Sequence, residues 1–238
     1  MTPLVLVPGL MCDRTVWEAQ IRALSGIAEC QVVDHGSLDS LPGMAEAVLR
    51  NAPPKFALAG HSMGGRVALE VVRRAPERVE RLAILDTKYS VLPQGEAGDQ
   101  EKAGRYALLA IARSKGVRTM AEKWVQGMVH PDRLGDSALI GDILDMFSRK
   151  TANTFAAQLH ALIHRPDAGP VLTGIHCPAL ILCGKQDAWA PPQPHEEMAR
   201  AIQCSTLVLV ENAGHMVTME QPEEVSRAMR SWLRRQMS

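Results

Sequence analysis

Phe56-Ala57-Leu58-Ala59-Gly60-His61-Ser62-Met63-Gly64-Gly65 is the stretch on which the reading of the fold turns. An unbroken apolar run leads into a serine held between small residues, G-x-S-x-G, and an apolar-rich helical pattern over residues 67–72 follows. Strand, sharp glycine turn and helix, in that order, are the context of a nucleophile elbow. A turn this tight forces the serine into a strained backbone conformation, so the flanking positions must be nearly bare of side chain. The hydroxyl then stands exposed, backed by the free N–H groups and positive dipole end of the helix.

Outward from this point, short apolar runs alternate with helical patterns. The predicted strands cover residues 4–7, 30–33, 56–59, 82–85, 179–182 and 206–210. Most lack polar alternation, as strands buried on both faces of a parallel sheet do. Thr15-Val16-Trp17-Glu18 matches a capping box and predicts a helix toward Leu24. Further helices are predicted over 43–50, over 63–74 with a stop near Pro76, and over 222–237 with Pro222 in the first turn. The alternation predicts an α/β fold with a doubly wound parallel sheet. Between the fourth and fifth strands the rhythm breaks, and residues 100–114, 118–129, 137–147 and 152–164 read as consecutive helices. An all-helical block inserted at the carboxyl side of a parallel sheet lies over the ligand crevice. The expected division is therefore a core of residues 1–87 and 171–238 and a helical cap of residues 88–170.

The chain has 238 residues, 46% of them apolar, which is ample for one large α/β domain. Its 26 basic and 26 acidic residues balance, so nothing in the composition attracts nucleic acid or an anionic membrane. Arg227, Arg230, Arg234 and Arg235 form the one basic cluster, and they read as a solvated face near a helix C-terminus. The five cysteines, Cys12, Cys30, Cys177, Cys183 and Cys204, are odd in number, irregularly spaced and without C-x-x-C, as free thiols in a reducing compartment are. The N-terminus lacks a basic n-region, Pro8-Gly9 interrupts its apolar run, and no apolar run is long enough to span a bilayer. These features predict a cytoplasmic protein, monomer or homodimer, with no membrane or nucleic-acid partner.

A serine hydroxyl is a weak nucleophile until a base takes its proton, and that base needs an orienting acid. On a nucleophile-elbow architecture the acid and then the histidine follow the serine along the chain. Leu182-Cys183-Gly184-Lys185-Gln186-Asp187 puts Asp187 in the turn after the fifth strand. Val210-Glu211-Asn212-Ala213-Gly214-His215 puts His215 in the loop after the sixth. Carboxyl ends of parallel strands open on one edge of the sheet, so these side chains can converge with Ser62. Asp86, at the end of the fourth strand, is the competing acid. Asp187 is preferred for its glycine-opened turn and its spacing from His215. An oxyanion needs two N–H donors, assigned to Met63, which follows the serine, and to Leu10 in Pro8-Gly9-Leu10.

Twelve methionines and few aromatics suggest a soft pocket, with Met11, Trp189, Met216, Trp124, Met128 and Phe147 as candidates to line it. Cys12 reads as a small buried thiol near the first loop, and His61 as a packing or hydrogen-bonding group beneath the serine. His160 and His164 share a helix face. Without H-E-x-x-H or a third ligand they predict no metal site. No arginine is singled out as aimed at a substrate carboxylate.

The chain resembles an α/β-hydrolase of the capped, small-esterase type. The residues that carry the resemblance are Gly60-His61-Ser62-Met63-Gly64-Gly65, Gly184-Lys185-Gln186-Asp187 with Pro191-Pro192, and Asn212-Ala213-Gly214-His215 followed by Glu220-Gln221-Pro222. Pro8-Gly9-Leu10 and Trp17 extend it over almost the whole chain. Two departures stand out. Pro8-Gly9 replaces the usual His-Gly of the oxyanion loop, with the fixed φ of Pro8 in place of an ordering histidine. The resemblance also begins at the family's third strand, without the hairpin that holds its antiparallel strand, which implies a six-stranded, all-parallel sheet. The resemblance implies a serine esterase, cleaving a carboxylic ester of a small to medium apolar substrate through an acyl-enzyme, without a cofactor. Relatives with the same triad act as lactonases, carbon–carbon bond hydrolases, acyl-carrier-protein ester hydrolases, cofactor-free peroxidases or lyases. A ligand-binding receptor on this fold is less favoured. Haloalkane dehalogenase and epoxide hydrolase are disfavoured, because those relatives carry aspartate where Ser62 stands.

Overall fold

Six strands form one sheet in the computed structural model, which describes residues 1–235: β1 (Thr2–Val7), β2 (Ala28–Val32), β3 (Phe56–His61), β4 (Val79–Leu85), β5 (Ala179–Gly184) and β6 (Ser205–Val210). Their order is β2-β1-β3-β4-β5-β6, and every neighbouring pair is parallel. Strands β3 and β5 are buried along their whole length, which is why their sequences show no polar alternation. Edge strand β2 keeps Glu29 and Gln31 in solvent.

Helices α1 (Glu18–Leu24), α2 (Leu41–Asn51) and α3 (Met63–Arg74) lie between the first four strands. Helix α2 packs on α3. Between β4 and β5 run α4 (Glu96–Lys115), α5 (Val117–Trp124), α6 (Ser137–Ser148), α7 (Ala152–Ile163) and the short α8 (Gly169–Leu172), with no strand among them. Here α4 packs on α5 and α7, and α5 on α6. Helices α9 (Pro192–Ala201), α10 (Val217–Glu220) and α11 (Pro222–Arg234) complete the described chain, with α11 against α1. No described helix is long and apolar enough to cross a membrane.

Two predicted boundaries are corrected. Thr15 does not cap the first helix. Asp13 caps a 3-10 turn, Arg14–Trp17, by accepting from the Thr15 N–H at 2.9 Å, and α1 starts at Glu18. The Thr15 hydroxyl is instead taken by Arg149 Nη2 at 2.7 Å, so a long-range bond outcompetes the local one. The helix predicted over 118–129 ends at Trp124 and continues as the 3-10 turn Val125–Gly127, where glycine disfavours helix. The last helix runs to Arg234, and the predicted end at Met237 lies outside the described residues.

The topology prepares a crevice. The chain leaves β1 for β2 on one side and returns to β3 on the other, so the carboxyl ends of β1 and β3 flank the point where the winding reverses. Leu10 follows β1 and Ser62 follows β3. Ser62 takes φ 55° and ψ −119°, a conformation forced by the tight approach of its turn to β1. A Cβ on Gly64 would lie 2.0 Å from the Val7 carbonyl oxygen, and one on Gly60 would lie 2.2 Å from that of Gly64. Only glycine fits either place.

Candidate active site

Five strand ends deliver the chemistry: Leu10 after β1, Ser62 after β3, Asp86 after β4, Asp187 after β5 and His215 after β6. His215 Nε2 lies 2.8 Å from Ser62 Oγ, and His215 Nδ1 lies 2.7 Å from Asp187 Oδ2. The other Asp187 oxygen accepts from the N–H groups of Trp189 and Ala190 at 2.8 and 2.9 Å. Burial alone pushes the Asp187 pKa up. The His215 charge, the hydrogen bond to His215 and the two backbone donors outweigh it and bring the pKa down to about 2. The carboxylate is therefore charged at neutral pH and faces the imidazole.

Asp86 behaves in the opposite way. It accepts from Gly184 N–H at 2.9 Å and Val217 N–H at 3.3 Å, and its second oxygen lies 3.4 Å from His61 Nε2. Complete burial, and then the nearby Asp187 charge, raise its pKa well above the carboxylate range. The competing acid is thus tied to backbone donors beneath the site, without a bond to the His215 ring. His61 Nε2 donates to the His215 carbonyl at 2.8 Å, which places His61 as a brace under the loop.

The His215 loop is held by a residue whose role was not read from the sequence. Buried Glu220 accepts from Gly214 N–H at 3.0 Å, Met216 N–H at 3.1 Å and His130 N–H at 2.7 Å. Its pKa rises because burial outweighs those donors. The His215 N–H donates to Met128 O at 2.7 Å, so the helical block between β4 and β5 touches the loop directly.

The Leu10 and Met63 N–H groups have no hydrogen-bond acceptor among the described residues. Both residues line a cavity of about 490 Å³ that also contains Ser62 and His215. Of the predicted lining residues, Trp189, Met216, Trp124, Met128 and Phe147 reach this cavity. Met11 does not, and that expectation is corrected. Its backbone takes a left-handed φ of 62°, its N–H is tied to Gln158 Oε1 at 2.9 Å, and its side chain is buried in the core. Trp124 stacks on Trp189 with centroids 5.5 Å apart, and Trp189 lies 4.9 Å from the His215 ring. Cys12 also lines the cavity, and burial raises its thiol pKa far beyond neutrality.

A second, charged wall of the cavity was missed. Arg66, Lys88, Glu101, Arg105 and Arg165 line it. Arg165 grips both Glu101 oxygens, at 2.7 and 3.0 Å, and Arg105 holds one of them at 2.9 Å. The one available signal was Arg66, four residues after Ser62 and so on the same helix face. Glu101 and Arg105 form an i,i+4 pair on α4, but no spacing links that pair to Lys88, which follows β4, or to Arg165, which follows α7. His160 and His164 stack exposed, with centroids 4.1 Å apart. Among the described residues no group of histidine, cysteine and carboxylate side chains is arranged to hold a metal ion.

Comparison with known proteins extends this geometry. A family model described as "Alpha/beta hydrolase family" matches residues 4–228. The chain is 27% identical to the (E)-2-((N-methylformamido)methylene)succinate hydrolase of Acinetobacter baylyi, over 97% of this chain and 90% of that protein. It is 25% identical to the pimeloyl-[acyl-carrier protein] methyl ester esterase of Nitrosomonas europaea, over 93% and 91% of the two chains. A thermophilic esterase from Thermogutta terrifontis, solved with malate bound, superposes with a TM-score of 0.85 at 29% identity, covering 98% of this chain and 90% of the other.

Proposed function

Because the chain belongs to the alpha/beta hydrolase family, we propose that it is a serine esterase cleaving carboxylic esters through an acyl-enzyme on Ser62. The observation that carries this reading is the continuous line from Asp187 to His215 to Ser62, at 2.7 and 2.8 Å, opening on the cavity. Ser62 Oγ attacks the ester carbonyl while His215 Nε2 takes its proton. Asp187 keeps the other imidazole proton on Nδ1 and stabilises the cation that forms. The N–H groups of Leu10 and Met63 receive the oxyanion. His215 then protonates the departing alcohol, and water hydrolyses the acyl-enzyme with His215 as base. Residues 88–170 act as a cap over the core of residues 1–87 and 171–238, and their Trp124, Met128 and Phe147 give the site an apolar face. Relatives named as hydrolases and esterases support the same chemistry.

The test is covalent labelling with a fluorophosphonate followed by peptide mass spectrometry. One label per chain at Ser62, lost on His215→Ala, is expected. A label on another residue, or none, overturns the reading.

A further inference from the structure

The cavity wall formed by Arg66, Lys88, Arg105 and Arg165 holds four cations against one carboxylate, Glu101. Glu101 is already committed: Arg165 takes both of its oxygens and Arg105 one. Among the described residues neither Arg66 nor Lys88 has an acidic partner within salt-bridge distance. Asp86, which also lines the cavity, already accepts from the Gly184 and Val217 N–H groups and has its pKa raised by burial, and the Asp187 carboxylate is aimed at His215.

This arrangement is electrostatically unsatisfied. Arg66 Nη1 and Arg165 Nε donate to the same carbonyl, that of Ser90, at 2.8 and 3.3 Å, so two guanidinium groups lie side by side. Burial, and then the Arg165 cation, pull the Arg66 pKa down to about 9, which leaves it charged at neutral pH. Half-buried Lys88 makes no hydrogen bond among the described residues, and burial lowers its pKa as well. Like charges gathered in a partly desolvated cleft destabilise the free protein, and a bound anion relieves them. A merely structural cluster pairs its cations, as Arg105 and Arg165 do. Arg66 and Lys88 are left over, and both line the cavity that contains Ser62.

We propose that the ester cleaved at Ser62 carries a second, anionic oxyacid group, a carboxylate or a phosphate, which Arg66 and Lys88 bind on the charged wall of the same cavity. The inference rests on the reading of Ser62 as nucleophile. Arg66 lies one turn along α3 from Ser62, a backbone rise of about 6 Å, and lines the same cavity, so one substrate can span both residues. The guanidinium fork suits either oxyacid, and Lys88 adds a point charge. Leu108, Leu162 and Phe147 provide apolar contact for the linker between the two groups.

The test compares kcat/KM for p-nitrophenyl half-esters of dicarboxylic acids, glutarate to suberate, with uncharged p-nitrophenyl esters of equal chain length. The pair 4-acetoxybenzoate and phenyl acetate covers an anion on the alcohol side. Hydrogen bonds to a charged group predict a preference for the charged member of about 10- to 100-fold at low salt. The preference shrinks as sodium chloride is raised. It falls toward unity in Lys88→Met and in Arg66→Met. Lys88→Met alone carries the test where Arg66→Met does not fold, since Lys88 makes no hydrogen bond among the described residues. Calorimetric titration of the Ser62→Ala protein with glutarate and with inorganic phosphate reads anion binding without turnover, and the tighter ligand identifies the oxyacid. Absence of both preference and anion binding, in a protein that labels at Ser62 and hydrolyses uncharged esters, overturns the inference and leaves the hydrolase reading standing. Anion binding without labelling at Ser62 overturns the hydrolase reading and, with it, the assignment of the anion to an ester substrate.

Discussion

Asp187→Asn is expected to lower kcat about 10⁴-fold, whereas Asp86→Asn lowers it less than about tenfold. The difference follows from what each carboxyl group touches. Asp187 Oδ1 is held by two backbone donors, Trp189 N–H and Ala190 N–H, at 2.8 and 2.9 Å. In the asparagine variant the amide oxygen keeps those donors, and the amide NH2 turns toward His215 Nδ1, where the carboxylate made its 2.7 Å contact. An amide N–H only donates, so Nδ1 becomes the acceptor and the imidazole proton moves to Nε2. That proton then points at Ser62 Oγ, 2.8 Å away, and the base can no longer accept from the serine. Loss of the carboxylate charge removes the partner of the developing imidazolium as well. A factor of about 10⁴ is about 5.5 kcal/mol of barrier. Asp86 has no bond to the His215 ring, so its replacement leaves the tautomer alone. It forfeits one backbone hydrogen bond, about 1–2 kcal/mol of stability. The assay is steady-state hydrolysis of a p-nitrophenyl ester, normalised to the fraction of Ser62 that a fluorophosphonate titrates, with folding checked by urea denaturation. An Asp86→Asn loss as large as that of Asp187→Asn refutes the reasoning.

Two further expectations concern stability. Gly64→Ala drives a Cβ to within 2.0 Å of the Val7 carbonyl oxygen, a backbone collision that only strand displacement relieves, and a loss of about 3 kcal/mol or more is expected in urea denaturation. Gly141→Ala, in α6 with open space around it, is expected to gain up to about 1 kcal/mol in the same measurement. The Glu101 pKa is raised by burial but lowered more by Arg165 and Arg105, from 4.5 to about 2. A depressed acid stabilises the fold above its unfolded pKa, and that contribution is lost as pH falls from about 4.5 toward about 2. Solvent around the partly exposed Glu101 limits it to about 1–2 kcal/mol. Denaturation series on wild type and Glu101→Gln should therefore show a gap at neutral pH that closes on acidification, and a gap that widens in acid contradicts the pairing.

Much of the frame was legible because burial writes itself into local pattern. Strands covered on both faces, such as β3 and β5, are apolar throughout, and β2 shows its exposed edge at Glu29 and Gln31. The elbow was legible because Gly60 and Gly64 have no alternative side chain that fits. Thr15 misled because its capping pattern is local, while the bond from Arg149 Nη2 that takes its hydroxyl spans 134 positions. Met11 misled for a related reason: its neighbours in sequence face the cavity, but a left-handed backbone turns it into the core.

By itself, then, the sequence determined six parallel strands, a strained serine between glycines, and an acid and a histidine at the ends of the last two strands. Each of these depends on periodicity, glycine sterics or strand direction, all of which act over a few residues. Only the tertiary structure decided which of two carboxyl groups reaches His215 and which is tied to backbone donors beneath the site, because Asp86 and Asp187 end neighbouring strands and differ in the donors packed around them. Only it gathered Arg66, Lys88, Arg105 and Arg165 on one wall of the cavity. Their convergence depends on how the helices inserted between β4 and β5 pack over the sheet, and long-range packing directions leave no local period to read.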